Sequence, residues 1–291
     1  MVFYKGGDIT YFRGDIINKT KSILLLAFTL VLMVSVFACD SSDPVDKPEI
    51  EGMVLVEAGT TSPDNGEIKV EEDFYIGKYP VTQAEFEDVM GFNLSEFTDE
   101  NHENLTGDSN NRPVEWMTWY DAVMYCNKLS ELENLDEYYN IDEEEYHDLD
   151  RVEYQNITVT ENEGANGYRL PTEDEWEYAA RGGVDGAPTT YVGSNDLDEI
   201  GWYRRNSNTA NSDRINKRGT MPVGEKKANE LGIYDMSGNV YEWTNTPYSY
   251  NKILRGGGWN NHSHYCEVDY RRDLHPSHSN MNFGFRIARS F

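Results

Sequence analysis

The alternation of apolar and polar residues divides this chain into short elements separated by long irregular stretches. Met53-Val-Leu-Val-Glu-Ala58 has the apolar, β-branched character of a strand and stops at Gly59, and Phe74-Tyr-Ile76 is a second strand. Val81–Met90 has helical spacing, with Thr82 near its start and Gly91 just past its end. Thr118-Trp-Tyr-Asp121 is a capping-box-like opening for a helix running to about Leu132. Its apolar positions Ala122, Val123, Tyr125, Cys126 and Leu129 share one face, which puts Cys126 in the core. Thr172-Glu-Asp-Glu175 opens a further helix with Trp176, Tyr178 and Ala179 inward, and Arg181-Gly182-Gly183 ends it. Residues 133–166 are acidic, with Glu143-Glu-Glu145, and predict a solvated loop followed by a β-hairpin around Tyr154–Thr160. Beyond residue 183 the periodicity fades while Gly, Asn and Trp accumulate. The pattern predicts one domain over residues 52–291 with little regular secondary structure, held by buried aromatics and loop hydrogen bonds.

The N-terminus has a different pattern. Residues 23–38 are an apolar run preceded by Lys19 and Lys21 and followed by Cys39. The run is short for a spanning helix of about 20 residues and has the basic and apolar regions of a signal peptide. Val36-Phe37-Ala38-Cys39 resembles a bacterial lipobox, with Phe37 bulkier than the small residue usual there. Residues 1–39 are therefore expected to be a signal peptide ending at a lipidated Cys39. The Asp-, Ser- and Pro-rich residues 40–51 then form a flexible tether. These features predict an exported protein, lipid-anchored in the cell envelope.

The 291-residue chain carries a net charge of −27. Residues 1–39 hold four basic and two acidic residues, leaving 21 basic against 50 acidic in the remainder. Such a surface repels phosphate backbones and excludes nucleic acid as a partner. Cys126 and Cys266, 140 residues apart, are no disulfide framework.

Ordered motifs carry a resemblance. They are Gly52-Met-Val-Leu-Val56, Phe74-Tyr-Ile-Gly-Lys-Tyr-Pro-Val-Thr82, Pro113-Val-Glu-Trp-Met-Thr-Trp-Tyr-Asp-Ala122, Tyr168–Gly183, Gly232–Trp243, Arg255-Gly-Gly-Gly-Trp259 and Gly284-Phe-Arg286. Together they resemble the sulfatase-modifying-factor family, whose founding activity is the formylglycine-generating enzyme. The resemblance implies an α+β, C-type-lectin-like fold. The oxidase of that family holds copper between two cysteines on its C-terminal segment, and thiolates suit Cu(I). Laid on this chain, the second cysteine is Cys266 but the first is Asn261, whose amide cannot replace a thiolate. The motif serine is Gly258, the aromatic residue before the glutamate is Tyr241 in place of Trp, and the family's partner for Cys126 is Arg271. These departures argue against formylglycine chemistry and against copper. The iron-dependent sulfoxide synthases of the same fold carry an N-terminal helical domain that residues 40–51 cannot supply.

The resemblance further implies calcium, held by the side chains of Asp235 and Glu242 and the carbonyls of Gly238 and Val240. Hard oxygens on a tight loop suit Ca²⁺, while a hydrogen-bonded loop without metal is the other reading. The C-terminal segment itself encloses runs of small polar and aromatic residues in a frame of RGGGW, Cys266, Tyr270-Arg271, Pro276 and GFR. Its histidines, His262, His264, His275 and His278, lack recurring metal-ligand spacing. Residues 260–265, 272–275 and 277–280 consist of amino acids reachable from an AAY asparagine codon by changing one or both adenines. Glu267 and Met281 fall outside that set. In this the chain resembles the variable proteins of diversity-generating retroelements, which share the fold. The other reading is an Asn-rich segment without diversification.

The expected function is binding of a protein or cell-surface ligand. The contact set is Trp259, Asn260, Asn261, His262, Ser263, His264, Tyr265, Arg272, Asp273, Leu274, His275, Ser277, His278, Ser279 and Asn280. Their composition resembles antibody contact loops, where Tyr gives rigid area and Ser and Asn give adaptable hydrogen bonds. The competing expectations are a divergent oxidoreductase acting through Cys266 and a structural accessory of an envelope complex.

Overall fold

A computed structural model describes residues 47–63, 66–102, 105, 107–141, 157–207 and 218–291. Cys39 and the signal segment lie outside these residues. The described chain belongs to one unit, Lys47–Phe291. The expected tether ends earlier than residue 51. The Tyr75 hydroxyl donates to the Pro48 carbonyl, Lys47 pairs with Asp73, and the Lys78 amide donates to Gly52. These contacts fasten residues 47–52 to the domain.

Strands β1 (Met53–Val56), β2 (Gly59–Thr61), β3 (Ile68–Val70) and β4 (Phe74–Gly77) open the fold. Gly59, expected to end the first strand, instead begins β2. Asp73 explains the break, because its carboxylate takes the Ala58 amide at 2.6 Å and ends the ladder there. Helix α1 (Gln83–Met90) has Thr82 as its N-cap in a reciprocal capping box with Glu85, and Gly91 ends it at φ +81°. Helix α2 (Trp119–Leu132) is capped in the same way by Thr118 and Asp121. A side-chain cap of this kind contributes about 1 kcal/mol. Trp119 through Asn127 are all buried, so this part of α2 is enclosed on every face rather than along one apolar stripe, while Lys128, Glu131 and Leu132 are exposed. Its polar residues are satisfied inside, Asn127 by the Tyr139 carbonyl at 2.6 Å and Ser130 by Cys126 at 2.7 Å. Cys126 is fully buried, as its helical position predicts.

The hairpin is expected after the acidic loop, around Tyr154–Thr160; instead β6 (Val159–Glu161) pairs with β5 (Tyr139–Ile141), which precedes the acidic stretch, with Ile141 opposite Val159. The acidic residues 142–156 lie outside the described residues. Strand β7 (Tyr168–Arg169) leads into α3 (Glu173–Ala180), where Thr172 and Glu175 form the third capping box, and α4 (Leu197–Ile200) is a single turn. Strands β8 (Tyr241–Tyr248), β9 (Asn251–Arg255), β10 (Arg271–Leu274), β11 (Phe283–Phe285) and β12 (Ala288–Arg289) complete the chain.

Two four-stranded sheets organise these elements, in the orders β1-β4-β12-β7 and β10-β9-β8-β11. In the first, β12 joins the C-terminus to β4 antiparallel, Ala288 opposite Ile76. In the second, β11 runs parallel to β8, Phe283 beside Tyr241 and Phe285 beside Trp243. The core under the second sheet is aromatic: Trp119, Tyr125, Tyr139, Trp243, Phe283 and Phe285 are buried together with α1 and α2 residues.

Candidate functional site

In the C-terminal frame Arg255–Trp259, Cys266 and Gly284–Arg286 are buried, Tyr270 and Pro276 are half-buried and Arg271 is exposed, while the enclosed runs are half-buried or exposed. Arg255 ends β9 with 1 % of its side chain exposed, donating to Glu173 at 2.9 Å, Glu177 at 2.7 Å and the Val268 carbonyl at 2.6 Å. Gly257 then turns the chain at φ +72°, and a Cβ there would lie 2.5 Å from the Tyr265 carbonyl oxygen and 2.7 Å from the Cys266 sulfur. Only glycine fits that approach. Trp259, expected among the contact residues, is 7 % exposed. Its indole donates to the Met281 carbonyl at 2.9 Å and meets Phe97 edge-to-face at 5.2 Å. It is a support beneath the surface, because an indole packs more apolar area than a surface turn can leave in water.

The runs themselves divide by exposure. His262, His264, Asp273, His278 and Asn280 are exposed, while Asn260, Asn261, Ser263, Tyr265, Arg272, Leu274, His275, Ser277 and Ser279 are half-buried. Arg272 lies over the rings of Tyr241 and Phe283, and Leu274 packs on the aromatic core, so these two combine contact with support. Main-chain atoms hold the runs in place. The Trp119 amide donates to the Pro276 carbonyl, the Trp116 amide to Asn280, and the Trp259 amide to Asn239, at 2.8 to 2.9 Å. Backbone anchoring of this kind does not depend on which side chain occupies the anchored position. Two features escaped the sequence reading. Arg204 donates its amide to the Asn261 carbonyl at 3.0 Å and reaches His262. Tyr248 and Tyr250 at the β8–β9 tip are 54 % and 88 % exposed, beside the Asn251–Asp273 hydrogen bond. The signal for the second was present in Tyr248-Ser-Tyr-Asn251, which has the composition of the runs.

Cys266 is fully buried, packed with Leu197, Ile200 and Tyr203, and burial pushes its thiol up to about 12. Asn261, at the position of the missing cysteine, turns its side-chain oxygen to the Asn282 amide at 3.3 Å, and Asn260 takes the same donor at 2.7 Å. A Cβ at Gly258 would sit 3.0 Å from that Asn282 nitrogen, so the amides fill the space a serine would need. A thiol of this kind is only about 10⁻⁴ ionised at pH 8, against roughly a quarter for a free cysteine. Cys266 in the folded domain is accordingly expected to react with iodoacetamide about 10³-fold more slowly than in urea, read by peptide mass spectrometry. Equal rates in both states would contradict its burial.

The turn before β8 supports the same segment. Asp235, Gly238 and Asn239 all have positive φ, at 57°, 90° and 60°. The Gly238 amide donates to Gly256 at 2.7 Å, so this turn and the RGGGW turn brace each other. Asp235 is buried, with its Oδ2 accepting the Gly224 amide at 2.7 Å and its Oδ1 without a hydrogen-bond partner. Burial holds its carboxyl up at about 6. Glu242 is fully buried, its Oε2 accepting Trp176 Nε1 at 2.5 Å and Arg286 Nε at 2.6 Å, and its Oε1 accepting Arg286 Nη2 at 2.7 Å. That occupies three of about four acceptor positions of the carboxylate. Val240 is buried between them in sequence. No cluster of three His, Cys, Asp or Glu side chains suited to a metal occurs among the described residues. A cation here would draw part of its shell from the carbonyls of Gly238 and Val240, as calcium sites do. The orphaned Asp235 oxygen fits such an ion, and Glu242 would share its remaining position with it.

Comparison with known proteins places this arrangement in a family. Residues 40–291 match the sulfatase-modifying factor enzyme 1-like domain. The chain is 42 % identical over 287 residues to the chaperone protein LppX of Paenibacillus barcinonensis, covering 91 % of this chain and 98 % of that one. It is 34 % identical over 151 residues to the formylglycine-generating enzyme of Streptomyces coelicolor, covering 42 % of this chain and 46 % of the enzyme, so it spans less than half of that relative. Among solved structures, Treponema denticola variable protein 1 superposes with a TM-score of 0.68 at 29 % identity, covering 86 % of this chain and all of that one. The α+β, C-type-lectin-like fold expected from the motifs is the fold observed. This chain belongs to the sulfatase-modifying factor enzyme 1-like family.

Proposed function

We propose that this protein is a lipid-anchored, outward-facing binding protein of the cell envelope. Its C-terminal runs contact a protein or cell-surface ligand, and they are rewritten by a retroelement. The carrying observation is the division of the C-terminal segment. Arg255–Trp259, Cys266 and Gly284–Arg286 of the frame are buried, with Tyr270 and Pro276 half-buried and Arg271 exposed, whereas no position of the three AAY-type runs is buried. Backbone bonds to Pro276 and Asn280 let side chains change without unfolding their support. The likeness to a structure named as a variable protein supports diversification, and the likeness to a protein named as a chaperone supports a protein partner. Anchoring rests on the Ala38-Cys39 junction and the apolar run before it. Calcium at Asp235, Gly238, Val240 and Glu242 would supply charge compensation inside the turn that braces the binding segment.

The test is sequencing of the DNA encoding residues 255–291, with its flanks, in many cells of one population. Variation confined to codons of residues 260–265, 272–275 and 277–280, matching adenines of a nearby near-copy, is the expected result. An unvarying segment without a near-copy removes diversification. The oxidoreductase reading has one observation in its favour, the presence of Cys266 at the family's second cysteine position. Copper-dependent oxidation of a cysteine peptide, abolished by Cys266→Ser, would replace the binding reading.

A further inference from the structure

The loop Gly201–Ser207 joins the binding surface from outside the C-terminal segment. The Tyr203 amide donates to Asn206 Oδ1 at 2.8 Å, and the Asn206 and Ser207 amides donate back to the Tyr203 carbonyl at 3.0 Å. This closes a turn in which Arg204 and Arg205 face outward. Two bonds fasten it to the RGGGW turn, from Ser207 Oγ to the Trp259 carbonyl at 2.8 Å and from the Arg204 amide to the Asn261 carbonyl at 3.0 Å. The guanidinium of Arg204 then lies 3.2 Å from His262 Nε2. A guanidinium can only donate, so in this contact Nε2 is the accepting atom. The His262 ring is nearly parallel to His264, 12° apart with centroids at 6.2 Å, and His264 lies 3.9 Å from the Tyr265 ring.

Arg205 faces Asp198 at 3.9 Å, but Arg204 forms no ion pair among the described residues. Arg271, likewise exposed, faces Glu173, so among the described residues Arg204 is the exposed arginine that no carboxylate meets. Its remaining N–H groups form a planar fork that matches a carboxylate. The adjoining rings of His264 and Tyr265, tilted 41° to each other, offer aromatic surface for the methylenes of the side chain bearing it. Neither the loop nor the runs line the cavities of about 260, 340 and 510 Å³ elsewhere on the molecule. Small ligands favour concave sites, so a surface presented outside these cavities suits a protein partner better.

We infer that Arg204, together with the His262–Tyr265 turn, forms a subsite for an acidic side chain of a protein ligand. Arg204 is its constant half, and the turn is the half that diversification rewrites. The inference rests on the binding reading above. The −27 charge of the chain repels an acidic partner as a whole, so a cation without an ion pair among the described residues selects where such a partner can touch.

The test uses the full chain and a fluorescently labelled hexaglutamate peptide, with anisotropy measured at about 50 mM and 300 mM salt. Saturable binding that weakens at the higher salt is expected. Affinity should fall about tenfold or more in Arg204→Ala, as for loss of a charged hydrogen bond, and only in part in Arg204→Lys. It should not change in Lys69→Ala, an exposed lysine on β3. Where Arg204→Ala fails to fold, the decision passes to Arg204→Lys, and undiminished affinity there counts against the subsite. Equal binding by Arg204→Ala, no binding at either salt, or preference for a sulfated oligosaccharide of equal charge each overturns the proposal. The DNA sequencing result is read separately, so failure of this subsite and failure of the binding reading are told apart.

Discussion

Replacing Arg286 by methionine is expected to lower the unfolding free energy by about 3–5 kcal/mol, the usual cost of leaving a buried charge without its partner. Arg286 and Glu242 are both fully buried and share two hydrogen bonds of 2.6 and 2.7 Å. The same guanidinium donates to the carbonyls of Gly77 and Tyr234 at 2.8 Å. Gly77 belongs to β4 in one sheet and Glu242 to β8 in the other, so this side chain fastens the two sheets together. Methionine would approximate its packing while removing every donor, leaving Glu242 with Trp176 alone. A domain of this size shifts about 2–4 °C per kcal/mol, so the melting temperature should drop by about 10 °C. Urea denaturation of the single variant and of Glu242→Gln/Arg286→Met separates charge from packing. The double variant should recover part of the loss, since no unpaired charge remains. A double variant as unstable as the single would show that packing, not the ion pair, is what matters here.

Removing calcium from the site proposed at Asp235 is expected to have the second largest effect. Asp235 Oδ1 is a buried acceptor without a partner, and an unmet buried polar group costs about 1–3 kcal/mol. An ion coordinated there offsets that cost and the desolvation that holds the carboxyl up. At a free calcium concentration 100 times its dissociation constant, the folded state gains about 2.7 kcal/mol. Thermal unfolding in excess Ca²⁺ should therefore occur several degrees higher than in EDTA. Asp235→Asn should remove that difference, because it deletes the charge while keeping an acceptor for the Gly224 amide. Identical melting in Ca²⁺ and EDTA would mean that Asp235 is left as an orphan and that the turn is held by hydrogen bonds alone. The Gly238–Gly256 bond makes the binding segment sensitive to this choice, and hydrogen exchange of residues 256–266 should slow when calcium is added.

Local chemistry was legible along the chain. Thr82, Thr118 and Thr172 each announce a helix because a hydroxyl three residues before a carboxylate can satisfy two amides without any distant partner. Gly91 marks the end of α1 for an equally local reason, its left-handed backbone. The α+β class and the outward-facing runs followed from motif order and residue composition. The replacement of a copper cysteine by Asn261 was visible in the letters alone.

What the letters could not decide were contacts between residues distant in sequence. The sequence placed Glu242 as a calcium ligand, but only the fold sets Arg286, 44 residues later, against it. Trp259 reads both as a contact and as a support of the segment, and Phe97, from another part of the chain, closes over it and leaves it the support. One apolar stripe in α2 does not foretell that β-strands and loops enclose its polar side as well, since burial depends on what is packed opposite. Arg204 has no motif, and its meeting with His262 arises because the Trp259 and Asn261 carbonyls fasten its loop to the RGGGW turn. Periodicity, caps and codon-like composition are properties of neighbouring residues, so the sequence determined the helices, the frame and the exposed runs. Ion pairing, burial of a particular indole and the joining of two loops depend on close approach of distant segments, which only the tertiary structure decides.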